Sequence, residues 1–451
     1  MIDRDWLNKY ASKVREADRI DPALYRKYGV RRGLRNDDGT GVLVGLTTIG
    51  NVHGYLTSEG ERVAIPGELF YRGINVKDIV SADRREHRFG YEEVAYLILF
   101  GDLPTARELI DFKAKLGSYR RLSDGFKENA ILRHPPVDIM NGIARSLLFA
   151  YAYDEIDAQE DMSIENCLRM SINLMGALPT IAAYAYQAKA HYHLDKPLMI
   201  RNPDPKKSTA ENFLSLIRED GKCTKLEAET LDLALILHAE HGGGNNSSFV
   251  THVVTSAHTD LFSSLAASVL SLKGFRHGGA NHRVMNQMDE IKAKVKDWRK
   301  ESDVVAYLEK IADKKAGDGS GLIYGLGHAV YTISDPRAQM LKKKARELAK
   351  AKGRENEMRL FELVEEKGPS IIKARHPRAE EVCANVDLYS GFVYDMLGIP
   401  RDLYTPIFAI ARCVSWCAHR MEELINPGPI IRPAYKPLFR PRKYVPLRDR
   451  S

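Results

Sequence analysis

Apolar residues spaced three and four apart recur in one segment after another, which constrains this chain more than any other feature of its sequence. YEEVAYLILFGDLPT (91–105), VDIMNGIARSLLFAYAYD (137–154), CLRMSINLMGALPTIAAYAYQAKA (167–190) and KLEAETLDLALILHAEH (225–241) each repeat the pattern i, i+3, i+4, i+7. Several close at Gly or before Pro, the usual stop signals. SSLAASVLSLKG (263–274) is apolar nearly all round and belongs deep in the protein or at a subunit interface. YTPIFAIARCVSWCAHRMEEL (404–424) continues the series, and the opening 30 residues read as a charged amphipathic helix broken at Asp21-Pro22. Only residues 42–79 alternate β-branched residues with turn glycines, so the fold class is mainly α with a small N-terminal β-region.

At 451 residues the chain exceeds one ordinary core, and two domains are expected. Its net charge of +7 is concentrated at the end: residues 427–451 hold seven Lys/Arg and one acid, or +6. A near-neutral body with a basic tail does not suit a general nucleic-acid binder. The same tail contains six prolines, cannot be helical, and needs another surface to lie on. Five scattered cysteines without a CxxC pair suggest neither a disulfide framework nor a zinc ribbon, and Cys413 and Cys417 read as small buried residues. The N-terminus lacks an apolar signal core and carries too many acids for a transit peptide, and no stretch reaches ~20 apolar residues. A cytoplasmic location with no membrane partner is therefore expected. Residues 289–366 are highly charged, with helices expected in DEIKAKVKDWRKE and KKKARELAKAKGRENEMRLFELVEEKG. The Lys342–Lys344 run there reads as a solvated helix face rather than a polyphosphate patch, because acids follow it closely.

The chemistry-bearing residues stand apart from these aliphatic runs. His241 lies in LHAEHGGGNNSSF, His277 in KGFRHGGANHRV, His328 in GLIYGLGHAVYTISDPR, and Asp387 in ANVDLYSGF. Glycine, asparagine and arginine crowd each of them, as where backbone approaches a ligand and side chains exchange protons. The run GDGSGLIYGLGHAVY lacks both the P-loop and the dinucleotide pattern. Asp335-Pro336 holds its own backbone extended, so Arg337 projects from a fixed turn and suits bidentate capture of a carboxylate. His238 and His241 would need Glu240, His252 or His258 to make a metal site, and no zinc-protease spacing is present, so no metal is expected. His238 reads as a satisfied core histidine and His282 as structural or solvent-facing. His277 at a probable helix N-terminus is expected neutral, able to donate to an oxygen that gains charge. Asp387, between apolar residues, is expected to be a usable base.

These segments resemble citrate synthase. The resemblance spans FYRGINVKDI and EEVAYLILFGDLPT, through LPTIAAYAY to SWCAHRMEEL, and is sharpest in HGGAN (277–281), GLGHAVY with DPR (325–337) and NVDLYSG (385–391). It implies an almost entirely helical two-domain fold and an obligate homodimer. Residues 1–276 with 392–451 would form the large domain, and 277–391 a small CoA-binding lid. Asp387 resembles the base that takes a methyl proton from acetyl-CoA, His277 the donor to the enol oxygen, and His328 the acid that polarises the oxaloacetate ketone. His241, Arg337 and Arg412 match oxaloacetate binders, and Arg432 matches an arginine reaching into the partner subunit's site. Leu322, Ile323 and Gly325 lie in the loop that resembles the backbone recognising CoA adenine. No cofactor is implied, acetyl-CoA being a substrate.

Gly242 stands where the family commonly has Glu, which alters the hydrogen bonding expected around His241. The N-terminus does not resemble the β-domain of the hexameric, NADH-inhibited class, so a plain dimer is expected. The runner-up activity is 2-methylcitrate synthase with propionyl-CoA, which would share every catalytic residue. From another class, a helical RNA-binding scaffold would use the basic tail and predicts salt-sensitive RNA binding lost on deleting 427–451. An inactive paralogue is opposed by His277, His328 and Asp387 occurring together.

Overall fold

Each periodic run is a helix in the computed structural model, which describes residues 3–37, 39–58, 61–154, 161–328, 330–377 and 381–450. The helices are Tyr91–Phe100, Ile139–Ala150, Ile164–Leu194 and Lys225–His238. The first stops at Gly101 in the left-handed region. The last opens with a capping box, Thr224 and Glu227 each satisfying the other's backbone N–H. Pro179 does not stop Ile164–Leu194. Every residue from Leu174 to Ala188 is buried, and packing on all sides outweighs the ~3 kcal/mol that an interior proline costs.

Two compact units are present, Met1–Leu46 and Thr47–Ser451. In the first, helices Arg4–Ala17 and Ala23–Lys27 bury no side chain, and the break between them falls at Asp21-Pro22, where Asp21 accepts from Ala23 N. In the second, the expected β-region is a three-stranded antiparallel sheet, β1 (Gly50–Ser58), β2 (Glu61–Tyr71) and β3 (Ile74–Asn75), in the order β1-β2-β3. Residues 59–60 between β1 and β2 lie outside the described residues. Eight of the thirteen residues of Leu261–Lys273 are buried, four are half-buried and Leu270 is exposed.

The charged region departs from expectation in two places. The helix predicted through DEIKAKVKDWRKE is Ala280–Lys294 and ends at Val295, so Lys296–Lys300 are turn. Lys344 is buried rather than solvated, with Nζ 3.1 Å from Glu229 and 3.2 Å from Glu347, while Lys342 pairs with Glu365. The charges in this run neutralise neighbouring helices, which a pattern of sequence-adjacent acids does not reveal. Tyr404–Ile425 is buried along most of its length, and Cys413 and Cys417 are free and buried within it. The tail beyond it is extended as far as Pro446, with Ile431 N donating to Ser256 Oγ at 3.1 Å. Past its last proline it closes in one 3-10 turn, Leu447–Asp449, where the expectation was of no helix. Among the described residues no helix is long and apolar enough to cross a membrane.

The sheet bears on the site through Gly67 on β2. Gly67 N donates to Ser334 O at 3.1 Å, and a Cβ there would sit 2.2 Å from that oxygen and 2.4 Å from the Tyr331 ring. Gly67→Ala is expected to lower stability by about 1–3 kcal/mol, the usual cost of overpacking. A shift in urea midpoint, with loss of turnover as Tyr331 moves off His328, checks it.

Candidate active site

Five of the residues marked by the sequence are brought together by three local devices. The first is the loop after Lys225–His238. Residues 239–245 carry His241 across to the Asn246–Thr255 helix, whose N-cap is Asn245. Asn245 Oδ1 accepts from Ser247 N and Ser247 Oγ, and His277 Nε2 lies 3.1 Å from the same oxygen. The same nitrogen is 3.4 Å from Ser247 Oγ, so Asn245 and Ser247 together orient the His277 ring.

The second device is an isolated bridge between Leu326 and Ala384. Gly327 N donates to Cys383 O at 2.8 Å, Asn385 N to Gly325 O at 2.9 Å, and Asn385 Nδ2 to Gly327 O at 3.0 Å. This short pairing clamps the residues before His328 to those before Asp387, which opens the Val386–Met396 helix. Gly325 is required there: its φ is +88°, and a Cβ would meet Leu388 Cδ1 at 2.7 Å.

The third is the turn into Pro336–Lys352. Asp335 is extended, as expected before proline, and caps that helix. Its carboxylate also takes Arg337 in a fork, Nε to Oδ1 at 3.0 Å and Nη2 to Oδ2 at 2.7 Å. Bidentate capture of a carboxylate thus occurs, but the carboxylate is the chain's own. Arg337 Nη2 also stands 3.5 Å from His328 Nε2, a contact of two donors rather than a hydrogen bond.

His328 has a fixed proton. Its Nδ1 accepts from Val330 N and Tyr331 N, both at 3.1 Å, so the neutral ring carries hydrogen on Nε2. Tyr331 stacks on it with centroids 4.7 Å apart, and the His241 ring stands 5.2 Å away, edge-on. Burial, helped by Arg337, lowers the His328 pKa to about 4. Burial and then Arg412 bring His277 to about 4. The expected neutrality of His277 is therefore present with a different cause: it precedes the Ala280–Lys294 helix, but desolvation and a guanidinium do the lowering. His241 is pushed well down by burial and by Arg337. Burial raises Asp387 to about 6 against the opposing pull of Arg337.

Arg412 is fully buried, its Nε donating to His238 O at 2.8 Å. Its Nη1 and Nη2 have no hydrogen-bond partner among the described residues, and neither does His241 Nε2. Burial lowers its pKa to about 10, with Glu240 pulling the other way. Two orphaned guanidinium nitrogens and an orphaned imidazole nitrogen, all buried, are what a bound dianion would satisfy. His238 is only partly the satisfied core histidine expected: Nε2 meets Tyr394 Oη at 3.0 Å, but Nδ1 has no partner among the described residues.

The remaining site expectations fall outside this group. Arg432 is exposed in the tail. Leu322 is exposed and Ile323 buried, so Ile323 offers a ligand its backbone only. His282 lies against the Tyr404 ring with centroids 5.3 Å apart. Sequence reasoning missed Asn245, Ser247, Tyr331 and the restraining role of Asp335. Tyr331 and Asn245 were within the quoted motifs, whereas nothing local marks the bridge to residues 383–385. Glu240, which the sequence marks only as a possible metal ligand, accepts from Gly242 N, so a glutamate does serve this loop, from the position before His241.

A family profile described as citrate synthase, C-terminal domain, matches residues 38–434. The citrate synthase of Haloferax volcanii is 33% identical over 371 residues, 81% of this chain and 88% of that protein. The 2-methylcitrate synthase of Shewanella oneidensis is 31% identical over 388 residues, 85% of this chain and 92% of its own length. The citrate synthase of Thermoplasma acidophilum, solved as a ternary complex with carboxymethyl coenzyme A and oxaloacetate, superposes with a TM-score of 0.74 to 0.75 alongside that of Pyrobaculum aerophilum. The two are 26% and 30% identical, and cover 93% and 91% of this chain and 99% and 94% of their own.

Proposed function

The chain belongs to the citrate synthase family, acyltransferases that condense acetyl-CoA with oxaloacetate, and from that premise we propose how its residues divide the work. Oxaloacetate sits on Arg412, His241 and Arg337. The observation that carries this is the pair of unpartnered, buried Arg412 nitrogens beside an unpartnered His241 Nε2. A dianion supplies the missing acceptors, and Arg337 adds Nη1, which the Asp335 fork does not use.

Asp387 removes a methyl proton from acetyl-CoA. His277, held by Asn245, donates to the enol oxygen. The enol carbon attacks the ketone carbon of oxaloacetate while His328 gives its Nε2 proton to the ketone oxygen. Water then cleaves the citryl thioester to citrate and CoA, the step that feeds the tricarboxylic acid cycle. Residues 277–391, which carry His277, His328, Arg337 and Asp387, act as the lid and close on the bound dianion to exclude water. Leu322–Gly325 offers backbone to the CoA adenine.

A homodimer with Arg432 entering the partner's site fits the tail, where Tyr435 is 92%, Phe439 78% and Tyr444 81% exposed on a single chain. Aromatics so exposed along an extended segment suit a covering subunit. The protein is read as cytoplasmic, with no nucleic-acid or membrane partner and no cofactor.

The acyl group is taken to be acetyl. The Shewanella oneidensis relative keeps the propionyl alternative in view, and one methylene is worth roughly 1–3 kcal/mol of discrimination. Thiol release from acetyl-CoA and propionyl-CoA, each with and without oxaloacetate, tests both readings. The expected result is oxaloacetate-dependent release with higher kcat/KM for acetyl-CoA. A tenfold or greater preference for propionyl-CoA would reverse the assignment, and no release with either would remove the condensation.

A further inference from the structure

A cluster of titratable groups that the condensation does not use lies beside residues 239–245. His252, on Asn246–Thr255, and His419, on Tyr404–Ile425, face each other with Nε2 and Nδ1 3.2 Å apart. A carboxylate holds the far side of each ring: Glu423 Oε2 is 2.8 Å from His252 Nδ1, and Glu240 Oε2 is 3.2 Å from His419 Nε2. An ionised carboxylate only accepts, so the outer nitrogens carry the ring protons and each neutral ring turns a bare lone pair toward the other. Such a facing pair is stable only with a cation between the rings.

A proton is one such cation, taken up by His419. It charges His419 between Glu240 and Glu422 but leaves Glu422 Oε2 3.7 Å away, outside hydrogen-bond reach. Glu422 stands beside them with Oε1 accepting from Thr48 N at 2.7 Å and Thr48 Oγ1 at 3.0 Å. Its Oε2 is buried, 3.7 Å from His419 Nδ1, and has no hydrogen-bond partner among the described residues. The donor atoms of His252, His419 and Glu422 all lie within 4.8 Å of one another. Two imidazole nitrogens on a tetrahedral ion with bonds of about 2.0–2.1 Å sit roughly 3.3 Å apart, close to the spacing seen here. Carboxylates behind both rings are the usual means of orienting histidine ligands. His252 and Glu423 keep side-chain exposures of 14% and 20%, which leaves a path inward from solvent.

We propose that His252 Nε2, His419 Nδ1 and Glu422 Oε2 bind one divalent transition-metal ion of the zinc class, with Glu423 and Glu240 orienting the two imidazoles. Imidazole donors select zinc, cobalt, nickel or copper over magnesium and calcium. The ion ties the substrate loop to two helices, because Glu240 also accepts from Gly242 N, next to His241. The sequence expectation of no metal weighed His252 only as a partner to His238 and His241; the two histidines of this site are 167 residues apart and share no motif. The inference does not depend on the condensation chemistry.

The test uses the untagged full chain, stripped with chelator and titrated with Co²⁺. A d–d absorption band saturating at about one equivalent per chain, displaced by Zn²⁺ and not by Mg²⁺, is expected. His252→Gln and Glu422→Gln should weaken Co²⁺ binding at least about 100-fold, the scale reached by removing even a supporting partner of a ligand. Melting in chelator identifies variants that fold. X-ray absorption of the zinc-loaded unmodified chain needs no variant and should show nitrogen and oxygen ligands with imidazole scattering. No stoichiometric Co²⁺ band, folded variants that bind as tightly as the unmodified chain, or a sulfur shell would each overturn the proposal.

Discussion

Asp387→Ala should lose about 10²- to 10⁴-fold in kcat, the range that a positioned general base contributes, while the protein stays folded and still binds oxaloacetate. The fold survives because burial, which raises this carboxyl to about 6, opposes its ionisation, and Ala removes that penalty. Oxaloacetate binding survives because Arg412, His241 and His328 are untouched. The same pKa sets the acid limb of the rate. A base must be ionised to act, so kcat/KM should fall as pH drops through about 6. His277 and His328, lowered to about 4, are already neutral there and contribute no limb of their own near 6. Thiol-release kinetics from pH 4.5 to 8, with circular dichroism on the variant, measure both effects. Near-normal turnover in the variant, or an acid midpoint near 4, would remove Asp387 from the role of base.

The helices and the four chemistry-bearing segments were legible in the sequence because each is written within a short run. A periodic apolar stripe fixes a helix, and glycines beside His277 and His328 mark backbone that must come close to something. What could not be read is what joins distant segments. The proton on His328 is fixed by the N–H groups of Val330 and Tyr331, an arrangement set by turn geometry rather than by residue type. The placing of Asp387 depends on Gly325–Gly327 pairing with Cys383–Asn385, and the Asn385–Gly327 bond alone spans 58 residues. Arg337 was read from its motif as free to grip a substrate, yet the aspartate two positions back already holds it. Packing likewise overrode local rules at Pro179 and at Lys344, where burial within the tertiary structure decided the outcome.

Arg412→Met should separate function from stability in the opposite sense to most core substitutions. Arg412 is fully buried, holds one backbone oxygen, and leaves two nitrogens unpartnered among the described residues. In the absence of ligand that charge is a cost. Replacing it with an apolar side chain of similar length should leave the unliganded protein as stable as before, or more stable by about 1–2 kcal/mol, as when buried ionic groups give way to packed apolar ones. Glu240 does not lose its footing, since His419, Ser415 and Gly242 N still surround it. Oxaloacetate affinity should fall by about 2–5 kcal/mol, or roughly 30- to 5000-fold, the usual result of removing one partner from a desolvated charge pair. Urea unfolding with and without oxaloacetate reads both terms. At 100 times its Kd the ligand should stabilise the unmodified chain by about 2.7 kcal/mol, and at that same concentration should barely stabilise the variant. If Arg412→Met instead unfolds several kcal/mol more easily without ligand and binds oxaloacetate normally, the arginine is a structural anchor for His238 O, and the dianion is held elsewhere.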